Sequence, residues 1–307
     1  MPLDPAVRGL IDAVKAAGMP TIGSVTAQQM RDFQTAMLSR LPPGPEVYKV
    51  EDLVIPSDAG GMAARSYWPS ERPRALLVYF HGGGWTIGSL DGWDAALRRL
   101  ANVSGCAVLS VDYRLAPEAR FPAAVDDALA ALRWAGAHVE KLAGGKVPLM
   151  VGGDSAGGNL SAVVAQLVRD QGGPTIAAQI LIYPSTEGNI DSQYMTRFES
   201  PFLTREETSW FYDQYIPDVT QRRDPRFAPL QAADLSRLPP AFVLTAENDL
   251  FAEEAEVYAS RMKQAGVNVL AKRYLGTIHG FFTMDRGLLP HSVQAMEDIA
   301  SFVTEVV

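Results

Sequence analysis

The sequence predicts an α/β fold, with a mostly parallel central sheet, helices on both faces and an added helical cap. Three observations predict it. Short apolar segments alternate with helical stretches from residue 75 to the end, the pattern of a parallel sheet built from strand–helix units. Several of these segments are apolar throughout rather than at every second position, as strands covered on both faces must be. The chain is also long enough, at 307 residues with 47% apolar residues, to bury a large core.

In chain order, Ala6, Leu10, Ala13, Val14 and Ala17 recur at helical spacing. A second helix runs through Met30, Phe33, Met37 and Leu38, with Thr26 placed to cap it. Leu41-Pro42-Pro43-Gly44-Pro45 then breaks the chain. Residues 47–55 and 62–68 read as two strands joined by the turn Pro56-Ser57-Asp58-Ala59-Gly60-Gly61. Further strands are expected at 75–80, 107–111, 148–151, 178–182, 241–245 and 267–274, and helices at 93–103, 123–137, 157–170, 253–265 and 292–306. The alternation fails once, between Tyr183-Pro184 and Leu238-Pro239-Pro240. A structureless loop of that length is unusual in a compact domain. We therefore expect an insertion with its own helices at about 186–236, packing with the N-terminal helices as a cap. The expected division is N-terminal cap helices at 1–45 and a catalytic domain at 46–307 that carries the insertion.

Composition excludes several classes. Lys and Arg total 27 against 35 Asp and Glu, a formal charge of −8, and no basic run points to nucleic acid. A single Cys rules out a disulfide scaffold within the chain, and Cys106 in Gly-Cys-Ala-Val-Leu-Ser-Val reads as a small core residue. The first residues lack a basic stretch followed by an apolar block, and no apolar run approaches the ~20 residues that span a bilayer. The expectation is a cytoplasmic protein without stable membrane insertion. A homodimer paired through an edge strand is compatible with the pattern.

The strongest local signal is Gly153-Asp154-Ser155-Ala156-Gly157-Gly158, after the apolar Leu149-Met150-Val151 and before the helical pattern of Leu160, Val163, Val164 and Leu167. A serine exposed on a sharp strand-to-helix turn needs small residues two positions to either side, because the chain passes too close for side chains. The helix that follows adds the positive end of its dipole near a developing oxyanion. A second signal is Phe80-His81-Gly82-Gly83-Gly84-Trp85, directly after a strand. Consecutive glycines let backbone amides turn inward, as an oxyanion hole requires. A phosphate-cradling loop is the rival, but no Gly-Lys-Ser/Thr follows.

A serine hydroxyl needs a base, and only His81, His138, His279 and His291 are available. We read His81 as orienting its own loop, His138 as an exposed residue at a helix end, and His291 as part of a surface helix start. His279, in Gly276-Thr277-Ile278-His279-Gly280-Phe281 past a strand, is placed to reach over the edge of a sheet. The acid that fixes its tautomer should lie between Ser and His in the chain. Asp249, in Ala246-Glu247-Asn248-Asp249-Leu250, follows a strand, and Glu247 and Glu253 are its rivals. Asp154, beside the serine, reads as a local structural acid.

Together these motifs resemble the bacterial hormone-sensitive lipase family of esterases, which has the α/β-hydrolase fold. Asp112-Tyr113-Arg114-Leu115-Ala116-Pro117-Glu118, Phe121-Pro122-Ala123-Ala124 and Thr245-Ala246-Glu247-x-Asp249 add to the likeness, which spans about residue 45 to the end. The resemblance implies Ser155 as nucleophile, Asp249 as acid and His279 as base. It also implies an oxyanion hole made by the amides of Gly83, Gly84 and Ala156, and a cap where the two cap segments fall. One stretch departs from the pattern. Where many members read Asp-Pro-Leu-Arg-Asp-Glu after the acid, this chain reads Asp249-Leu250-Phe251-Ala252-Glu253-Glu254.

The expected activity is hydrolysis of short- to medium-chain carboxylic esters through an acyl-enzyme, with no cofactor and no metal. The partner is then a small-molecule ester. Expected pocket residues are Trp85, Phe33, Met37, Phe202, Phe211, Tyr215 and Leu250. An amidase or arylformamidase on the same triad is the alternative chemistry, and a non-catalytic ligand receptor is the alternative class.

Overall fold

The computed structural model describes residues 2–18, 20–57 and 60–307. Helices α1 (Pro5–Ala16) and α2 (Ala27–Leu38) precede strands β1 (Lys49–Ile55) and β2 (Met62–Trp68). The expected turn between these strands includes Asp58 and Ala59, which lie outside the described residues. The chain continues through β3 (Leu76–Phe80), α3 (Leu90–Ser104), β4 (Ala107–Val111), α4 (Ala123–Ala137), α5 (Val139–Ala143), β5 (Leu149–Asp154), α6 (Ala156–Gln171) and β6 (Ala178–Ile182). The long excursion carries α7 (Gln193–Thr196) and α8 (Arg205–Tyr215). Then come β7 (Ala241–Asn248), α9 (Ala252–Gln264), β8 (Val269–Ile278) and α10 (Pro290–Val306).

The eight strands form one sheet in the order β1-β2-β4-β3-β5-β6-β7-β8. The β1–β2 and β2–β4 pairs are antiparallel and the others parallel. Every residue of β3, β4 and β6 is buried, which is why these strands read as unbroken apolar runs. Side chains alternate between the faces. Leu76, Val78 and Phe80 meet α4 and α6, whereas Leu77 and Tyr79 meet α3 and α10. Helix α9 extends the first of these layers, its Tyr258 and Met262 clustering with Ala162 of α6. No helix among the described residues is long and apolar enough to cross a membrane.

Three strands run further than the sequence pattern suggests. β5 reaches Asp154, β7 reaches Asn248 and β8 reaches Ile278. Their last residues include glycines and polar side chains, which score poorly as strand formers, but parallel pairing such as Gly153 with Leu181 and Asn248 with Ile278 holds them in the ladder. Asp249 and His279 therefore directly follow their strands instead of lying several residues beyond. Asp4 and Thr26 cap the two N-terminal helices, and Thr26 forms a reciprocal capping box with Gln29. The buried face of α1 is Val7 and Ile11 rather than the Ala-rich stripe expected, because those two side chains meet Ile278 at the end of β8.

The N-terminal segment and the excursion meet in one apolar cluster. Met30 packs with Met195, Leu203 and Phe211, and the same cluster takes in Ile87, Leu250 and Phe251. The base of the excursion is held by polar groups. Asn159 Nδ2 on α6 donates to the carbonyls of Ser185 (2.8 Å) and Phe227 (2.7 Å). Glu254 Oε1 accepts from the amides of Thr186 (2.5 Å) and Glu187 (3.2 Å). Glu254 is fully buried and its Oε2 has no partner among the described residues.

Burial raises the pKa of Glu254 to about 8, against the pull of the two amides. Folded, this carboxyl stays protonated at neutral pH; unfolded, it ionises above the ordinary glutamate value. The folded state thus binds more protons between those two limits, and stability falls as pH rises toward 8. Glu254→Gln keeps the amide acceptor and removes the titration. We expect the melting temperature of this variant, relative to the parent, to rise by several degrees between pH 5 and pH 8.5. A difference that stays flat across that range would contradict this account.

Candidate active site

Three loops at the C-terminal ends of the parallel strands converge on one point. After β5 the chain turns sharply at Ser155, whose φ of 55° is a strained value for a residue with a side chain. The turn is possible because Gly157 stands against the carbonyl of Phe80, where an added Cβ would overlap the oxygen. After β7, Asp249 Oδ1 accepts from the amide of Phe251 (3.0 Å). After β8, His279 projects back across the strand ends.

Ser155 Oγ lies 2.8 Å from His279 Nε2, and His279 Nδ1 lies 2.8 Å from Asp249 Oδ2. An ionised carboxylate can only accept, so Nδ1 carries the proton and the bare Nε2 faces the hydroxyl. The imidazole is clamped by rings. Tyr183 lies at 4.8 Å and Phe251 meets it edge-on at 5.1 Å. The rival acids are engaged elsewhere. Glu247 Oε2 accepts from the amide of Gly276 (2.7 Å), and Glu253 is half exposed near Arg197.

Beside the hydroxyl lies the glycine loop. Among the described residues no protein acceptor takes the amides of Gly83, Gly84 or Ala156. Their directions are fixed through the planar peptides to which they belong, since each carbonyl points opposite to the amide that follows it. His81 Nδ1 donates to the Gly82 carbonyl (2.7 Å), which sets the Gly83 amide. The Thr86 and Ile87 amides both hold the Gly83 carbonyl at 3.0 Å, which sets the Gly84 amide. The Asn159 amide holds the Ser155 carbonyl at 2.9 Å, which sets the Ala156 amide. Gly83 needs φ 107°, a conformation that side chains strain against.

Two neighbours complete the frame. His81 is fully buried and burial lowers its pKa to about 4, so it is neutral and its role is to donate to its own loop. It stacks on Tyr113 at 4.4 Å. Asp154 Oδ1 accepts from Tyr79 Oη (2.8 Å), Trp93 Nε1 (2.8 Å) and the Gly82 amide (3.1 Å). Burial raises its pKa to about 6 against those three donors. It thereby ties the glycine loop to the serine turn, a more definite part than the local acid expected. His138 is half-buried and stacks on Trp134 at 4.5 Å rather than standing exposed.

The expected pocket residues divide. Phe211, Leu250 and Phe202 join the apolar cluster above the site, and the Phe211 ring occupies the space where a Cβ on Gly84 would stand. Phe33 and Met37 are half-buried on α2 and lie outside that cluster. Trp85 and Tyr215 are buried against other rings. They are 2% and 0% exposed and stack on each other at 4.9 Å, with Phe227 against both. Aromatic character in the sequence signals burial, but not whether the buried face meets substrate or another ring.

The sequence reading missed the part played by Glu254, although it ends the six-residue stretch beginning at Asp249. It also missed Tyr183, whose position directly before Pro184 gave no sign that it would flank the imidazole.

Comparison with known proteins follows the same direction. A family model described as alpha/beta hydrolase fold matches residues 77–283. Carboxylic ester hydrolase LipN of Mycobacterium tuberculosis is 46% identical over 254 residues, covering 79% of this chain and 67% of the relative. Carboxylesterase NlhH of the same organism is 37% identical over 289 residues, covering 91% and 88%. The structure of a hyperthermophilic esterase from Pyrobaculum calidifontis matches with a TM-score of 0.90 at 39% identity, over 99% of each chain.

Proposed function

The chain belongs to the α/β-hydrolase family and, among its esterases, to the group that resembles hormone-sensitive lipase; taking it as a carboxylic ester hydrolase, we propose that it cleaves short- to medium-chain acyl esters of small molecules with Ser155 as nucleophile. The observation that carries this reading is the unbroken chain from the Ser155 hydroxyl through His279 to Asp249, beside three unengaged amides.

In the proposed reaction Ser155 Oγ attacks the acyl carbonyl while His279 Nε2 takes its proton. The amides of Gly83, Gly84 and Ala156 receive the negative oxygen, at ~3 kcal/mol per donor. His279 then protonates the departing alcohol, and a water activated by the same nitrogen releases the acid. Asp249 stabilises the imidazolium in both steps. The N-terminal helices and the 186–236 insertion serve as a cap, a role supported by the apolar cluster they share over the site. Phe211 lies directly above the glycine loop, which favours a short acyl reach. The net charge of −8 speaks against nucleic acid as a partner, and we place the protein in the cytoplasm.

A series of p-nitrophenyl esters from acetate to laurate tests the substrate class. We expect kcat/KM to peak between two and eight acyl carbons and to fall at least tenfold at twelve. N-formylkynurenine assayed in parallel should turn over far more slowly than the best ester; the opposite ranking would make the protein an arylformamidase.

A further inference from the structure

We propose that Arg31, on α2, is a positioning residue for the oxyanion loop that acts through two peptide units on the amide of Gly84. The inference rests on the oxyanion role proposed above for that amide. Arg31 Nε donates to the Thr86 carbonyl at 2.8 Å. The same peptide plane carries the Ile87 amide, which donates to the Gly83 carbonyl at 3.0 Å. That carbonyl shares its plane with the Gly84 amide. The guanidinium thus stands at the head of a relay of two peptides, all aligned in one sense and ending where negative charge would develop. Aligned hydrogen bonds polarise one another, and a cation at the donor end strengthens the last donor. Thr86 adds a second hold, since its Oγ1 donates to the Gly84 carbonyl at 2.9 Å.

The guanidinium is itself aimed. Nη2 donates to the Ala116 carbonyl (2.5 Å), and Nη1 and Nη2 fork onto Glu118 (3.1 and 2.8 Å). The Glu118 side chain is 59% exposed, so this ion pair contributes little energy of its own and chiefly orients the fork. Because Arg31 belongs to an N-terminal helix while every acceptor lies in the catalytic domain, seating that helix and completing the oxyanion loop are one event.

The test compares the parent with Arg31→Met, Arg31→Lys and Glu118→Gln on p-nitrophenyl acetate. The relay would be loosened, not deleted, so kcat should fall about tenfold in Arg31→Met, below the full loss of an oxyanion donor. KM should stay within about threefold. Arg31→Lys, which keeps a cation and one donor, should recover part of the loss, and Glu118→Gln, which leaves Arg31 aimed by the Ala116 carbonyl, should lose less than Arg31→Met. Affinity for butylboronic acid, whose tetrahedral adduct places an oxygen among the amides, should weaken in parallel with kcat. If Arg31→Met does not fold, Arg31→Gln takes its place with the same expectations. A rise in KM alone, an unchanged boronate affinity, or a larger loss in Glu118→Gln than in Arg31→Met would overturn the proposal and leave Arg31 a mere clamp. The underlying reading fails differently: the parent would then show no esterase activity, or would keep it after loss of Ser155.

Discussion

Ser155→Ala is expected to lower kcat for p-nitrophenyl butyrate by about 10⁶-fold, the scale seen when a serine nucleophile of this kind is removed. The deleted oxygen lies at hydrogen-bond distance, 2.8 Å, from the bare nitrogen of His279. Among the described residues no second hydroxyl is hydrogen-bonded to His279 Nε2. In the proposed mechanism, what remains is a set of amides that binds the carbonyl without attacking it, so a small residual rate over water is expected. The fold should survive. The Ser155 backbone is held by its amide on the Ile182 carbonyl (2.9 Å) and by the Asn159 amide on its own carbonyl, neither of which involves the hydroxyl. Melting temperature should therefore match the parent or exceed it slightly, since active-site polar groups are often kept at a cost in stability. Labelling by a fluorophosphonate should vanish with the activity. Retained turnover in a preparation free of contaminating esterase would remove Ser155 from the mechanism.

How much of this was legible in the sequence depended on how local each constraint was. The serine turn could be read because sterics act within five residues. Gly153 cannot be larger because an added Cβ would overlap the backbone of Gly157 four residues on, and that demand is written in the chain as Gly-x-Ser-x-Gly. The glycine loop could be read for a similar reason. Asp249 and His279 were found by where they fall relative to strands, and the true strand ends brought both nearer the sheet than expected. Features set by distant contact were not legible. Alanine and leucine spacing suggested one face for α1, but the position of Ile278 selected Val7 and Ile11. The mutual stacking of Trp85 and Tyr215 joins residues 130 positions apart and left no local sign. Arg31 meets acceptors 55 to 87 residues away, and nothing in its neighbourhood distinguishes it from any helical arginine. Glu254 is similar: its burial depends on Thr186 and Glu187 arriving from the far end of the excursion.

Asp249→Asn should leave the protein folded and cut kcat by about 10⁴-fold, and the reason lies in the Phe251 amide. That amide donates to Asp249 Oδ1 at 3.0 Å. An asparagine has one oxygen, and the Phe251 N–H holds it, which turns the side-chain NH₂ toward His279. Facing a donor, Nδ1 must become the acceptor, so the ring proton moves to Nε2. Nε2 then donates to Ser155 Oγ instead of accepting from it, and the base is lost although no atom has moved far. The buried carboxylate that balanced the imidazolium is lost as well. Glu247→Gln and Glu253→Gln act as controls. The first alters a bond to the Gly276 amide and the second a half-exposed surface group, so both should keep kcat within about threefold. In proton NMR spectra of the parent, the Nδ1 proton shared with Asp249 should appear far downfield and disappear in Asp249→Asn. A mild Asp249→Asn beside a crippling Glu253→Gln would move the acid five positions down the chain from the strand end. That result would require α9 to turn its first residues inward, against the packing of Glu254, Ala255 and Tyr258.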